Sequence, residues 1–264
     1  MKSFLKVLIT RFFPVLFIAI PGFGAIPLTK KTVEYGTATK LEGYFVGPKA
    51  AKKNTPGIVL IHNWMGLSEE TKSQADRFAS LGYNVFAADI YGKGVRPTEA
   101  KTAGETATIY KTDRKLFRER ITLAMDELRK LQGGDEIAVA GYCFGGTGAI
   151  EAARSGAKIK AAISFHGGLD SPSPADGKNI TAKVLALHGA IDPHVSATDL
   201  AAFEKEMQDS KVDYQLVKYG GVVHSFTDKS AGTDISKGAA YNAVADQRSF
   251  ATAEDFLKDA FAKK

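Results

Sequence analysis

The chain alternates between short apolar runs and longer segments in which apolar and charged residues are mixed. The apolar runs are rich in Val, Ile, Phe and Ala, as buried strands are, and they predict strands at 41–47, 57–64, 83–90, 136–143, 160–167, 182–189 and 214–221. The mixed segments have helical spacing and predict helices at 68–82, about 98–132, 146–156, 196–210 and 238–262. Strands separated by helices in this order indicate an α/β fold with a mostly parallel sheet flanked by helices on both faces.

The pattern predicts one α/β domain from about residue 30 to residue 264. No Ser/Pro-rich linker and no internal repeat divides this part of the sequence. In open α/β sheets, ligands bind beside the carboxyl ends of the strands. Functional residues are therefore expected directly after the predicted strands.

The first 24 residues follow a different pattern. A basic start is followed by an apolar run at 12–20 and then by small residues around Gly24 and Ala25. This order is typical of a secretory signal peptide cut after Gly24 or Ala25. An uncleaved membrane anchor is the alternative, but the apolar run is shorter than the roughly 20 residues that a spanning helix needs. We therefore expect an exported protein, periplasmic or secreted, without stable membrane association after cleavage.

Charge and cysteine content narrow the classes of partner. The chain has 35 Lys and Arg against 29 Asp and Glu, a formal charge of +6. Residues 1–24 carry three of these basic residues and no acidic one, so the mature chain has 32 against 29, or +3. The mature part has no basic cluster with interleaved aromatic residues, which argues against nucleic acid as a partner. The single cysteine excludes an intramolecular disulfide and a zinc site built on several thiolates.

That cysteine, Cys143, ends a predicted strand within the sequence GYCFGG, residues 141–146. Gly-x-Cys-x-Gly at a strand-to-helix junction is the thiol version of the nucleophile elbow, in which small residues permit a tight turn. The amides that open the following helix would favour the thiolate, and the Phe144 amide would face a developing oxyanion. The alternative is a buried structural cysteine beside glycines that pack a helix.

Two downstream residues match the base and the carboxylate that a nucleophilic cysteine needs. His224 follows the last predicted strand in a glycine-rich loop, as expected of the base, and Asp192 follows another strand, as expected of its orienting carboxylate. The order nucleophile, acid, base is that of α/β-hydrolases. His194 is the competing base, whereas His166 and His188 end apolar strands and are expected to have structural roles.

With these residues in place, the sequence resembles the dienelactone hydrolase family, a cysteine branch of the α/β-hydrolases. The resemblance rests on GYCFGG together with the segments IHNWMGL, AADIYGKG, LHGAIDPHV and GGVVHSF, which span most of the mature chain. It implies a compact α/β-hydrolase fold without a large lid, and hydrolysis of esters or lactones without a metal or cofactor.

The resemblance also implies a role for each matched residue. Cys143 would attack the carbonyl carbon, His224 would move the proton, and Asp192 would orient the imidazole. The backbone amides of Phe144 and Trp64 would form the oxyanion hole.

Three departures from the family pattern concern the thiol and the substrate. Asn63 stands where the family enzyme has a glutamate that helps to activate the thiol, and Lys93 and Asp228 stand where it has two arginines that hold a substrate carboxylate. Lysine keeps the charge without the bidentate fork, and aspartate repels a carboxylate, so dienelactone itself is not expected to be the substrate.

Asn63, Lys93 and Tyr91 are the predicted substrate-binding residues. Tyr91, together with Trp64 and Met65, is expected to wall the pocket, and ordinary packing near the strand ends is the alternative for these three.

The resulting hypothesis is an exported cysteine hydrolase of a small acyl substrate. Two alternatives from other classes stay open. One is a non-catalytic binding protein on the same fold, with Asn63 as a first loss of function. The other is a redox protein with a single thiol, which would require an intermolecular disulfide.

Overall fold

The computed structural model describes residues 26–262, and the predicted signal peptide, residues 1–24, lies outside them. The strands are β1 Leu28–Tyr35, β2 Leu41–Pro48, β3 Gly57–Ile61, β4 Asn84–Ala88, β5 Ile137–Tyr142, β6 Ala161–Phe165, β7 Lys183–Gly189 and β8 Tyr214–Tyr219. The α-helices are α1 Glu69–Ala79, α2 Ala100–Thr112, α3 Arg114–Gln132, α4 Phe144–Arg154, α5 Ala197–Asp209 and α6 Ala243–Phe261. Within residues 26–262, no helix is both long and apolar enough to cross a membrane.

The strands form one sheet in the order β1-β2-β4-β3-β5-β6-β7-β8. The β1–β2 and β2–β4 pairs are antiparallel, and every pair from β4–β3 to β7–β8 is parallel. The predicted mostly parallel sheet is therefore confirmed. Because β5, β7 and β8 run in the same direction, the residues that follow them emerge at one edge of the sheet.

Both faces of the sheet are apolar and covered by helices. Alternation along β3 places Val59 and Ile61 in one core and Ile58 and Leu60 in the other. Helices α2, α3, α4 and α5 contribute to the first core, and α1 and α6 contribute to the second. The structure thus confirms helices on both faces, and residues 26–262 form no large lid over the sheet edge.

The segment from about 98 to 132 is helical, as predicted, and Asp113 divides it into α2 and α3. Asp113 leaves helical geometry at φ −98° and ψ 80°, and its side chain accepts a hydrogen bond from the Leu116 amide at 2.9 Å. An aspartate that caps one helix in this way competes with continuation of the previous one.

Strand β1 was not predicted. It is a mostly exposed edge strand that pairs only with β2, so its polar sequence does not resemble that of the buried strands.

A buried ion-pair network fixes α4, α5 and the loop after β6 around the sheet edge. The fully buried Arg154 guanidinium donates to both carboxylate oxygens of Glu206, at 3.0 and 2.6 Å, and to Glu151 at 2.9 Å. It also donates to the carbonyl oxygens of Asp170 and Leu169. Removing one partner of such a network leaves a buried charge without compensation.

Glu206→Ala should therefore lower the free energy of unfolding by about 3–5 kcal/mol, because it removes the bidentate partner of a buried cation. The matched control is Asp209→Ala on the same helix, which breaks only the exposed Lys205–Asp209 pair and should change stability little. Urea unfolding followed by circular dichroism measures both. Equal losses in the two variants would contradict the prediction.

Candidate active site

The turn that carries Cys143 is strained and closely packed. Cys143 follows β5 directly and caps α4 with φ 55° and ψ −116°, a conformation that L residues rarely adopt. A Cβ added at Gly141 would overlap the Gly145 carbonyl, and one at Gly145 would overlap the carbonyl of Ile61. Glycine is therefore required at both positions for the turn to form.

The structure brings Cys143, His224 and Asp192 into one hydrogen-bonded chain. His224 Nε2 lies 3.1 Å from Cys143 Sγ, and Nδ1 lies 2.8 Å from Asp192 Oδ2. The other carboxylate oxygen of Asp192 accepts from the His194 amide at 2.8 Å. Asp192 and His224 are buried, and Cys143 is half-buried.

The electrostatics of this chain favour a thiolate beside an imidazolium. Burial by itself would raise the pKa of the Cys143 thiol, but the hydrogen bond and charge of His224, together with the Phe144 amide, lower it below its usual value. Burial would likewise lower the pKa of His224, but its bonds to Asp192 and to Cys143 raise it to about 10. Burial would raise the pKa of Asp192, yet the bond to His224 lowers it. These shifts favour a carboxylate at Asp192, an imidazolium at His224 and a thiolate at Cys143, so that the favoured charges alternate.

The neighbouring histidines pack against His224 without bonding to the thiol. The His194 and His166 rings meet the His224 ring edge to face, with centroid distances of 4.8 and 5.2 Å. Burial lowers the pKa of both, so both are neutral at pH 7. His166 also lies 2.8 Å from the Thr227 hydroxyl. Of the three, His224 alone is within hydrogen-bond distance of Cys143.

A cavity of about 420 Å³ opens onto the Cys143 sulfur. Its walls are mostly small, apolar or hydroxyl-bearing, and they comprise Trp64, Gly104, Ala107, Thr108, Lys111, Cys143, Phe144, Thr147, Gly168, His194, His224, Ser225 and Ala239. The wall that α2 forms was not predicted from the sequence. The small residues Gly104 and Ala107, three positions apart on one helix face, are the signal that could have indicated it.

The backbone amides predicted to form the oxyanion hole, those of Phe144 and Trp64, belong to residues that line this cavity. Phe144 opens α4, where an amide has no intrahelical acceptor, and its N–H interacts with the Cys143 sulfur. The Trp64 amide donates to no backbone carbonyl within residues 26–262, and the Trp64 carbonyl accepts from the Tyr91 hydroxyl at 2.9 Å.

The predicted substrate-binding residues Asn63, Lys93 and Tyr91 do not line this cavity. Asn63 is buried in the turn after β3 and donates to Glu70. Lys93 forms an exposed ion pair with Glu34.

Tyr91 is buried behind the wall, where its ring packs against those of His62, Tyr110 and Phe144. Asp228, at the second of the two family arginine positions, lines a separate depression together with Glu70.

Comparisons with known proteins agree with this fold. The model of the dienelactone hydrolase family matches residues 41–261. The crystal structure of P91, a dienelactone hydrolase-like promiscuous phosphotriesterase from metagenomic libraries, superimposes with a TM-score of 0.85 at 35% identity, covering 90% of this chain and all of that one.

Two curated sequences are more distant. A Bradyrhizobium protein described as a probable 2-oxo-3-(5-oxofuran-2-ylidene)propanoate lactonase is 26% identical over 225 residues, covering 80% of this chain and 90% of its own. An uncharacterised Caenorhabditis elegans protein is 32% identical over 153 residues, covering 55% of this chain and 95% of its own. This chain therefore belongs to the dienelactone hydrolase family and is a hydrolase that acts on ester or lactone bonds.

Proposed function

We propose that this hydrolase cleaves a small acyl ester or lactone through a Cys143–His224–Asp192 triad and a thioester acyl-enzyme. The observation that carries the proposal is the hydrogen-bonded chain from the Asp192 carboxylate through the His224 imidazole to the Cys143 sulfur. These three side chains lie at the end of a cavity that opens onto the Cys143 sulfur. A nucleophile, its base and an orienting carboxylate in this geometry are the groups that acyl transfer requires.

In the first half of the reaction, the Cys143 thiolate attacks the carbonyl carbon and a carbon–sulfur bond forms. The carbonyl oxygen becomes an oxyanion, which the amides of Phe144 and Trp64 stabilise. His224, already protonated, then gives its Nε2 proton to the departing alkoxide as the carbon–oxygen bond breaks. With a lactone, the released alcohol stays attached to the acyl chain.

In the second half, a water molecule replaces the alcohol. His224, now neutral, takes a proton from the water, and the hydroxide attacks the thioester carbon. The carbon–sulfur bond breaks, the acid leaves, and the thiolate–imidazolium pair is restored. Asp192 holds the imidazole in one orientation and stabilises its charge throughout. Every catalytic group in these steps is a residue of the protein, and the only added reactant is one water molecule. The mechanism therefore requires no cofactor.

The size and lining of the cavity support a small acyl group as the substrate. A volume of about 420 Å³ lies near the lower end of the range for small-molecule sites. Among the described residues that line the cavity, Lys111 is the only lysine or arginine, and none is an aspartate or a glutamate.

We also propose that the protein is exported. The support is the basic, apolar and small-residue order of residues 1–24. The first strand begins at Leu28, just after the proposed cut, so cleavage leaves the folded domain intact.

Cys143→Ala and His224→Ala should each lower turnover at least about a thousandfold, because each removes a member of one catalytic unit. The assay uses the protein without residues 1–24 on p-nitrophenyl esters, a panel of small lactones and dienelactone. His194→Gln is the comparison, since His194 lines the cavity without bonding to the thiol, and this variant should retain turnover that depends on Cys143.

The outcomes of this assay separate the competing functions. Turnover that survives Cys143→Ala would refute the nucleophile assignment. Absence of turnover together with an unreactive thiol would favour a binding protein. A disulfide-linked dimer on nonreducing gels after mild peroxide would favour the redox role.

The thiol should react with iodoacetamide at a lower pH than an ordinary cysteine, because the lowered pKa of Cys143 keeps the thiolate present below the usual titration range. His224→Gln removes the charge and the bond that lower this pKa while leaving the burial that raises it. Alkylation in that variant should therefore require a more alkaline pH. Intact mass spectrometry across pH 5 to 10 measures both proteins, and coincident pH profiles would contradict the expectation.

Expression of the full chain in a bacterial host should yield a mature protein that begins near Ala25 or Ile26 in the periplasmic fraction, because signal peptidase removes the leader. A version that lacks residues 1–24 should stay in the cytoplasm. Cell fractionation and N-terminal mass analysis measure both. Recovery of the intact chain in the membrane fraction would favour the anchor alternative.

A further inference from the structure

A short turn between β3 and α1 carries one of the two amides assigned to the oxyanion hole, and Asn63 organises it. The Asn63 side-chain oxygen accepts from the Met65 amide at 2.9 Å, and its backbone carbonyl accepts from the Gly66 amide at 3.2 Å. Trp64 lies between these anchored residues. The orientation of the Trp64 amide therefore depends on where the Asn63 side chain is held.

Glu70 holds the Asn63 side chain at its amide nitrogen. Its Oε2 accepts from Asn63 Nδ2 at 3.0 Å, and its Oε1 accepts from Gln74 Nε2 at 3.1 Å. Because the side-chain oxygen of Asn63 is committed to Met65, the amide group has one orientation, with its nitrogen toward Glu70. The carboxylate of Glu70 is the acceptor that this orientation needs.

Glu70 is a half-buried carboxylate that lies outside the cavity around Cys143. Burial and the negative charge of Asp228 raise the pKa of Glu70 to about 7, and the bond from Asn63 opposes them. Placing a carboxylate there, next to another acidic group, is costly. Its hydrogen-bond partners among the described residues are Asn63, in the turn that carries Trp64, and Gln74, on its own helix.

We propose that Glu70 is a positioning residue of the hydrolase, which acts through Asn63 to hold the Trp64 amide toward the oxyanion. This inference rests on the proposed function, since it requires a tetrahedral oxyanion formed by attack of Cys143. Glu70 takes no proton from the thiol and does not touch the substrate. It fixes the direction of one hydrogen-bond donor, and oxyanion stabilisation depends on that direction.

Three variants separate this role from simple packing. Glu70→Leu keeps the size of the side chain and removes the acceptor. Glu70→Gln removes the charge but can still accept from Asn63 once the Gln74 amide turns over. Glu69→Leu is the matched control, because Glu69 is the adjacent acidic residue, is exposed and pairs only with Lys72. We expect kcat to fall about ten- to hundredfold in Glu70→Leu at similar KM, and to stay closer to the wild-type value in Glu70→Gln and Glu69→Leu.

Alkylation of Cys143 by iodoacetamide supplies a second readout. The thiolate displaces iodide at a saturated carbon, so no oxyanion forms and the Trp64 amide has no part in the step. Glu70→Leu should therefore lose ester turnover while its alkylation rate stays at the wild-type value. A parallel loss of both rates would mean general damage to the site and would overturn the inference.

A double-mutant cycle tests the route through Asn63. If Glu70 acts through that side chain, Asn63→Ala should lower kcat by a similar factor, and the double variant should be no worse than either single one. Additive losses would overturn the route. Should Glu70→Leu fail to fold, Glu70→Ala carries the same test, because it removes the acceptor and leaves the bond between Asn63 and the Met65 amide in place.

Failure of this inference is distinct from failure of the proposed function. If the Cys143→Ala variant keeps the turnover of the wild-type enzyme, both the proposed function and this inference are overturned. Turnover that requires Cys143 but is unchanged in Glu70→Leu overturns the role of Glu70 alone.

Discussion

The close contact between the turn at Cys143 and the end of β3 is the constraint on which the rest of the site depends. Gly145 lies so near the carbonyls of Ile61 and His62 that no side chain fits between them. This contact fixes the first turn of α4 against the turn that carries Trp64. The position of the nucleophile relative to that turn is therefore set by one piece of backbone packing.

The favoured charge states of the three catalytic residues follow from their placement next to one another. Cys143, His224 and Asp192 come from the ends of different strands, and each would have a less favourable charge state if it were buried alone. Together they favour alternating charges, so the cost of burial is offset by the two hydrogen bonds that link them. The rings of His166 and His194 pack against the ring of His224 and restrict its orientation.

Several features of the fold were predictable because they depend on local pattern. Strands β3 to β7 are buried on both faces almost throughout, and their apolar runs are distinct in the sequence. Edge strand β1 was missed because its polar sequence carries no such signal. The break at Asp113 was missed because a single capping side chain outweighed the helical spacing around it.

By itself, the sequence determined the residue types, their order and the strand ends at which Cys143, Asp192 and His224 lie. It also determined the glycines without which the strained turn could not form. Only the tertiary structure decided that Asn63, Tyr91 and Lys93 lie outside the cavity lining, that α2 supplies a wall, and that Glu70 reaches Asn63. The physical reason is that order along a strand fixes the sheet edge at which a residue emerges, whereas the direction of its side chain is fixed by packing against elements distant in sequence.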